Sequence, residues 1–487
     1  MPSAAPSGPA VSRKSPARMK QPKPMTQPSA SDPTWSGART GLSRGRSLRG
    51  VSGKGQVHRA SARWRGLSGS AAAGRWLVHP RARRVAGMKL SRRTVLRSAL
   101  APAVLGWAPA ARAAAQTAVR HSRFDPWIEV RPDHVRHNVR EVSRLVEGRP
   151  ILAVIKNNAY GMGLLNMARI LESETAVIGM AVVKLSEALE LRDAGIAKPV
   201  LLMGPFDGAD LEAAVMRGIT PMVYTEVGDA LDRLAARRQS AVPVQVCVDT
   251  GMGRVGISHR DAAGLIADLA GRDGVDLIGT MTTLNEDPEF EKLQLQRFRE
   301  VEETLAARGI AMGRRHAASS YGLFDNPPAY LDAVRPGMAL FGQYSTQRFR
   351  ELDLLDLRPS MSLKARVALV KKLEQGDTAG YEAAYRADRD VWIATVPAGH
   401  VDGVPRVAAN GGWVRIRDTR YPIIASVSAS HTIVEIGPEK TVDAGDVATY
   451  FDWRDGSRPE DASAASGASV YDLVMHLNPT LPRRLVS

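Results

Sequence analysis

The chain has 487 residues, 66 Lys and Arg against 50 Asp and Glu, and a single cysteine. That length suggests two or three domains with a sizeable core, and one cysteine excludes an internal disulfide and any multi-thiolate metal site. The formal net charge of +16 invites a nucleic-acid reading, but 22 of the basic residues and one acid, Asp32, fall within residues 1–116, which leaves the rest of the chain mildly acidic at −5.

Residues 1–87 are rich in Ser, Pro, Gly, Ala and Arg and show no sustained apolar period. Such a segment cannot bury enough apolar surface to offset its ordering entropy. It reads as a disordered basic leader, as upstream sequence ahead of the true start, or as an arm for anionic surfaces. Residues 88–116, MKLSRRTVLRSALAPAVLGWAPAARAAAQ, read as an export signal. Arg92 and Arg93 follow a short n-region, an apolar stretch runs from Val95 to Leu105, and ARAAA supplies small residues for cleavage near Ala111–Ala115. SRRTVL resembles a twin-arginine signal, a route that accepts folded cargo. The apolar stretch is too short to span a bilayer. The expectation is a mature protein without a membrane span, periplasmic or secreted, with Met88 as candidate start.

From about residue 130, apolar strand-like runs alternate with helical patterns. The runs are ILAVIK (151–156), AVIGMAVV (176–183), VLLMG (200–204), ITPMVY (219–224), VQVCVD (244–249), LIGTMTTL (277–284), RRHAASS (314–320) and VRPGMALFG (334–342). Amphipathic segments such as LLNMARILES and FEKLQLQRFREVEETLAARG lie between most of them. Continuous apolar strands alternating with helices predict a parallel sheet covered by helices. Eight such units match a (β/α)8 barrel over residues 117–350. The last helical segment, GLFDNPPAYLD, is broken by two prolines. After residue 350 the period changes to alternation in SLKARVALVKKL, DVWIATVPAG, WVRIR and IIASVSASHTIVEIG. The fold class expected is therefore a (β/α)8 barrel followed by an all-β C-terminal domain over residues 351–487, with 455–469 as a polar loop.

Chemistry concentrates where the first barrel strand ends, in AVIKNNAYGMG. A lysine at the carboxyl end of a barrel strand points to the mouth, where barrel enzymes work. Taken alone, Lys156 reads equally as a salt-bridged surface lysine. Its polar, glycine-bearing surroundings favour a ligand loop, and a partly desolvated amine there has a lowered proton affinity and can form a Schiff base. GMGRVG (251–256) fits GxGxxG, but its helix starts too late to meet a pyrophosphate, which argues against a dinucleotide site. No HExxH spacing and no GxSxG nucleophile elbow occur. No metal is expected.

AVIKNNAYGMG resembles the pyridoxal-phosphate lysine motif of the alanine racemase family. VDTGMGRVGI (248–257), HAASS (316–320), AVRPGMALFG (333–342), GYEAAYRA, VPAGHVDGVPR and LPRR follow in the family's order, so the resemblance covers about residues 125–487. It implies pyridoxal 5′-phosphate as cofactor, with Lys156 on its aldehyde and Tyr160 at its phosphate. Arg254 is placed near the phenolic oxygen, and Ser320 with the backbone amides of Gly337 and Met338 at the phosphate. Arg335 would face the pyridine nitrogen, where a permanently charged guanidinium keeps that nitrogen unprotonated and leaves proton exchange at Cα favoured over fuller carbanion chemistry. Racemisation needs a base on each face of a planar intermediate. Lys156 serves one face, and the resemblance assigns the other to Tyr381, reaching in from the partner subunit of a homodimer.

Several positions depart from the family's pattern. Thr283 stands where the family has a histidine that stacks on the cofactor ring. Cys247 replaces a carbamylated lysine, and His400 a tyrosine. Ser428–Ala429–Ser430 replaces SMD, and Pro479 falls where a phosphate-contacting tyrosine is expected. Small residues at 429 and 430 would widen the substrate mouth. The function expected is interconversion of L- and D-amino acids, alanine by default and larger substrates by the wider mouth. The alternatives are a pyridoxal-phosphate-binding carrier or regulator with little turnover, and a lyase or aldolase on the same barrel. The Lys156/Tyr381 pair favours the racemase, because a pure binder has no use for the tyrosine.

Overall fold

The computed structural model describes residues 122–487; the expected leader (1–87) and export signal (88–116) lie outside the described residues. Seven parallel strands run in the order Ile151–Val154, Val177–Val182, Val200–Leu202, Thr220–Val223, Val242–Asp249, Val275–Met281 and Arg314–His316. The apolar runs dictate this. Ile151–Val154 is buried at every position, as expected of a strand covered on both faces. The helices Leu164–Glu172, Leu185–Asp193, Gly208–Met216, Gly228–Arg238, Ala262–Ala270 and Pro288–Ala306 lie between successive strands.

The eighth run, expected as a strand over 334–342, closes the barrel without forming a regular strand. Val334 bridges Ile151 and Ala333 bridges His316. The Leu152 N–H donates to Val334 O at 2.9 Å and the Val154 N–H to Pro336 O at 2.9 Å. Pro336 has no N–H to extend the ladder, and the chain turns instead into a short 3-10 helix, Met338–Phe341. The segment after residue 321 is broken as its prolines imply, into Gly322–Asp325 and Pro327–Ala329.

The second domain is a nine-stranded sheet. Its order is Leu369–Leu373, Val391–Val396, Thr432–Gly437, Thr419–Ile424, Trp413–Ile416, Val447–Phe451, Met361–Arg366, Trp127–Val130 and Arg483–Leu485. The strand Trp127–Val130, which no apolar run in the sequence announces, lies within the bounds expected for the barrel (117–350). It pairs instead antiparallel with Met361–Arg366, Trp127 opposite Lys364, and parallel with Arg483–Leu485, Ile128 opposite Arg483. Ile128 and Val130 are fully buried there, and a four-residue apolar alternation carries no sign of which sheet it joins. The polar stretch 455–469, expected as a loop, contains the helix Pro459–Ser466, with Pro at its start, Asp461 accepting the Arg458 N–H at 2.9 Å, and Gly467 ending it at φ 75°. Capping and a proline at the first turn nucleate a helix that composition alone conceals.

One apolar core runs from the barrel through the Pro132–Leu145 helix into the sheet. Helix Pro132–Leu145 buries Val135, Val139 and Val142 along one face, each contributing about 1.5–3 kcal/mol. Asn138, on the same face, donates to Arg358 O at 2.9 Å and accepts the Arg358 N–H at 2.8 Å, so the segment joining the two domains is hydrogen-bonded to the barrel. Among the described residues, no helix is long and apolar enough to cross a membrane.

Candidate active site

Lys156 follows the first barrel strand and opens a turn of unusual hand. Asn157, Asn158, Ala159 and Tyr160 all have positive φ, at 55°, 56°, 50° and 53°. Left-handed backbone costs an L-residue roughly 1–2 kcal/mol, so the turn needs external support. The Asn158 side chain accepts the Leu164 N–H at 2.8 Å, its own N–H donates to Glu187 Oε1 at 2.7 Å, and Arg483 Nε donates to Gly161 O at 3.0 Å. Gly161 is required where the turn ends, since a Cβ there would lie 2.2 Å from Val474 O.

The turn delivers Lys156 and Tyr160 to a cavity of about 370 Å3, which Arg254, Ser320, Arg335, Gly337 and Met338 also line. Seven of the eight residues expected at the site thus meet in one place. Burial holds the Lys156 ammonium below its usual range; the Arg254 charge acts in the same direction and Glu187 opposes it. The Tyr160 phenol is pushed up by burial. Ser320 Oγ accepts N–H groups from Gly337 at 3.0 Å and Ala339 at 3.1 Å. With both amides donating to it, the hydroxyl keeps its own proton to donate into the cavity, whose wall Gly337 and Met338 join.

Arg335 is 5% exposed. Its Nη1 donates to His316 O and to His316 Nδ1, both at 2.9 Å, and its Nη2 to Thr282 O at 2.9 Å. Burial pulls its pKa down to about 10, which still leaves it charged at neutral pH. His316 Nε2 lies 2.8 Å from Gln245 Oε1. Since Nδ1 accepts from arginine, Nε2 carries the proton and donates. Burial, then the Arg335 charge, holds this imidazole well below its ordinary range. Arg254 rides on the loop after Val242–Asp249, where Asp249 Oδ1 accepts the Gly251 N–H at 2.8 Å and the Gly253 N–H at 3.1 Å. Cys247 is buried beneath that loop, and burial raises its thiol to about 11.

Tyr381 stands apart. It is 76% exposed and lines a separate surface hollow with Ser428 and His431. Ser428, the first residue of the 428–430 segment, and the expected second base therefore line one hollow of the β-domain. Thr283 lines the barrel cavity, its carbonyl held by Gln294 Nε2 at 3.0 Å. Further wall residues escaped the sequence reading: Met203, Met252, Glu286 and Tyr471. Tyr471 belongs to the helix Val470–Met475 and supplies an aromatic hydroxyl to the cavity, whereas Pro479 is not among the residues lining it.

The cavity fits a phosphate-bearing aldehyde by its own chemistry. It offers an amine of lowered proton affinity, a serine hydroxyl held by two backbone amides with its own proton left to donate, and a buried guanidinium. Comparison with known proteins agrees. Residues 130–345 match the family model for the alanine racemase N-terminal domain, and 360–485 that for the alanine racemase C-terminal domain. The alanine racemase of Desulforamulus reducens is 32% identical over 365 residues, covering 73% of this chain and 98% of the relative. That of Symbiobacterium thermophilum is 33% identical over 366 residues, covering 73% and 96%. The crystal structure of alanine racemase from D-cycloserine-producing Streptomyces lavendulae superposes with a TM-score of 0.70 at 27% identity, covering 75% of this chain and 98% of that one. Alanine racemases are isomerases dependent on pyridoxal 5′-phosphate. With both of its domains matched and nearly the full length of its relatives spanned, the chain belongs to the alanine racemase family.

Proposed function

We propose that this chain interconverts L- and D-alanine, and larger amino acids as well, using pyridoxal 5′-phosphate held at Lys156 and two bases, Lys156 and Tyr381. The observation that carries the reading is the convergence of Lys156, Tyr160, Arg254, Ser320, Arg335, Gly337 and Met338 on one cavity from separate segments of the barrel. Bound there, the cofactor supplies an electron sink that acidifies the α-hydrogen of an amino acid. Ser320 and the backbone of Gly337 and Met338, which line the cavity, would hold the phosphate. The Arg335 guanidinium, fixed by His316 and Thr282 O, stays charged and keeps the nitrogen it faces unprotonated. Lys156 Nζ, its ammonium destabilised by burial, takes or returns the proton on one face of Cα.

Tyr381 moves the proton on the opposite face from a second copy of the chain. Its exposure and its absence from its own chain's cavity wall are what support a head-to-tail dimer with two composite sites. Ala429 and Ser430, each smaller than the residue the family pattern carries there, favour substrates larger than alanine. Arg92 and Arg93 support export of the protein by a twin-arginine route.

The test combines two variants with the cofactor's visible absorption band. Lys156→Ala is expected to lose the band. Tyr381→Phe is expected to keep it and lose racemisation by about 100- to 10,000-fold. Mixed dimers of the two, each inactive alone, should regain about a quarter of wild-type activity, since half the random pairs are mixed and one of their two sites is intact. A wild-type protein with no visible band refutes the cofactor reading. Wild-type racemisation by Tyr381→Phe removes the tyrosine as base, and no recovery on subunit exchange removes the shared site.

A further inference from the structure

Among the described residues, Glu286 is the one acid in a cavity wall that carries three cations, Lys156, Arg254 and Arg335. Racemisation with the cofactor uses each cation and leaves the acid without a task. Glu286 lies exposed at the cavity rim, and among the described residues its carboxylate makes no ion pair and no hydrogen bond. For alanine a negative charge there is adverse, because it repels the α-carboxylate that every amino-acid substrate brings.

The fold nevertheless enforces this placement. Glu286 follows the strand Val275–Met281 and has φ 67°, a left-handed backbone that is unfavourable for an L-residue. Two buried polar side chains of helix Pro288–Ala306 hold the loop. Gln294, fully buried, accepts the Asn285 N–H at 2.9 Å and donates to Thr283 O at 3.0 Å. Glu291, 1% exposed, accepts the Glu286 N–H at 3.1 Å and, on its other oxygen, Asn326 Nδ2 at 2.6 Å. Asp287 caps the same helix through the N–H groups of Glu289 and Phe290. Backbone pinned on both sides thus presents the Glu286 carboxylate, and strained residues over-determined in this way cluster at ligand sites.

The same cavity wall is apolar at Leu284, Met203, Met252 and Met281. Apolar lining with a single carboxylate at the rim complements an aliphatic stem that ends in a cation, the form of a lysine side chain. A substrate with a second cation meets an opposite charge where alanine has nothing to offer. Partial burial, then the Glu291 charge, raises the Glu286 carboxyl above its ordinary value and Arg254 opposes them, so the carboxylate gains from a further cation.

We propose that Glu286 is a specificity-determining residue of this cavity, taking the side-chain cation of an amino acid such as lysine, so that basic amino acids are substrates alongside alanine. This rests on the reading of the cavity as an amino-acid racemase site and names the chemical class of its larger substrates.

The test uses the full chain with pyridoxal 5′-phosphate and two probes of similar length, L-lysine and L-norleucine, which differ in the terminal ammonium. Calorimetric titration gives the affinity for each, and chiral chromatography gives their racemisation. Glu286→Gln removes the charge and keeps the shape. Glu286→Gly removes the carboxylate and keeps the turn, since glycine adopts positive φ without strain. Wild type is expected to bind L-lysine the more tightly. In either variant the lysine-to-norleucine affinity ratio should fall about 5- to 10-fold, between the effect of an exposed ion pair and that of a hydrogen bond to a charged group. The corresponding ratio of kcat/KM should fall through KM rather than kcat, because the contact is made equally before and during proton transfer. A role in loop structure alone would weaken both probes alike and leave the ratios unchanged.

An affinity ratio within about twofold of wild type in both variants overturns the proposal, and so does a wild type that binds L-lysine more weakly than L-norleucine. Glu286→Gly decides the matter if Glu286→Gln does not fold. The racemase reading fails separately. A wild type that prefers L-lysine in binding but racemises no amino acid refutes that reading and keeps the charge recognition; one that racemises alanine without preferring L-lysine to L-norleucine does the reverse.

Discussion

Gly337 offers a substitution whose consequence can be worked from distances. Its φ of −122° is open to any residue, so alanine is opposed by space alone. A Cβ at this position would sit 2.4 Å from Tyr160 Oη, 2.7 Å from Cζ and 3.0 Å from Cε2. Relief requires the ring to withdraw by about 1 Å to reach ordinary contact. Tyr160 is 6% exposed, its ring packs 5.5 Å from Phe341, and its backbone is the fourth residue of the left-handed turn, so withdrawal costs packing and intrudes on the cavity it lines. Overpacking of this kind costs about 1–3 kcal/mol. Because the Gly337 N–H also belongs to the Ser320 cradle, the displacement falls on the phosphate end of the cavity. Gly337→Ala is therefore expected to weaken pyridoxal 5′-phosphate binding about 5- to 150-fold, measured by absorbance titration of the cofactor-free chain. Tyr160→Phe in that background removes the 2.4 Å contact and leaves the 2.7 Å one, so the double variant should recover part of the loss and the two changes should not add. A Gly337→Ala protein that binds within about twofold of wild type and unfolds at the same urea concentration would refute the steric argument.

Two further outcomes are expected. His316 is buried neutral, its ordinary value being 6.5. As pH falls below that value the unfolded chain takes up a proton that the folded chain does not, so stability falls by about 1.4 kcal/mol per pH unit until the folded imidazole itself titrates. His316→Gln should flatten this part of the slope in urea unfolding between about pH 4.5 and 6.5, and an unchanged slope would show that the imidazole titrates normally in the fold. For export, Arg92→Lys with Arg93→Lys should retain precursor inside the cell, and a start at Met88 should yield the same mature protein; normal export of the double variant rules out the twin-arginine route.

The barrel was legible in the sequence because its strands are continuous apolar runs, a pattern that needs no long-range information. Lys156 was legible because it ends the first of them inside a polar, glycine-bearing loop. The eighth run was read as a strand from its apolar residues, and Pro336 set where its ladder stops. Other features depend on pairing across the chain. Nothing in the four residues 127–130 says that their partners lie near 361 and 483. The amides of Gly337 and Ala339 that fix the Ser320 hydroxyl depend on the 3-10 turn after Gly337, which an apolar run does not announce. Glu187 looks like any acid in a helix's first turn; only its contact with the Asn158 N–H shows that it supports the lysine turn. The His316–Gln245 support of Arg335 joins residues from three separate parts of the chain and has no local signature.

The placement of Trp127–Val130 between Met361–Arg366 and Arg483–Leu485 also sets a timetable. Ile128 leaves the ribosome 355 positions before its neighbour Arg483. At synthesis rates of about 5–20 residues per second, the strand waits roughly 20–70 s for that edge to be covered. During that interval an apolar strand with an open ladder is available to other chains. The late segment also brings the Arg483 side chain that holds Gly161 O, so the turn carrying Lys156 gains its last support only when the sheet is finished. Maturation of the lysine site is thereby tied to completion of the neighbouring domain, and a nascent chain stalled short of residue 483 would have every barrel strand yet lack this restraint on its reactive amine.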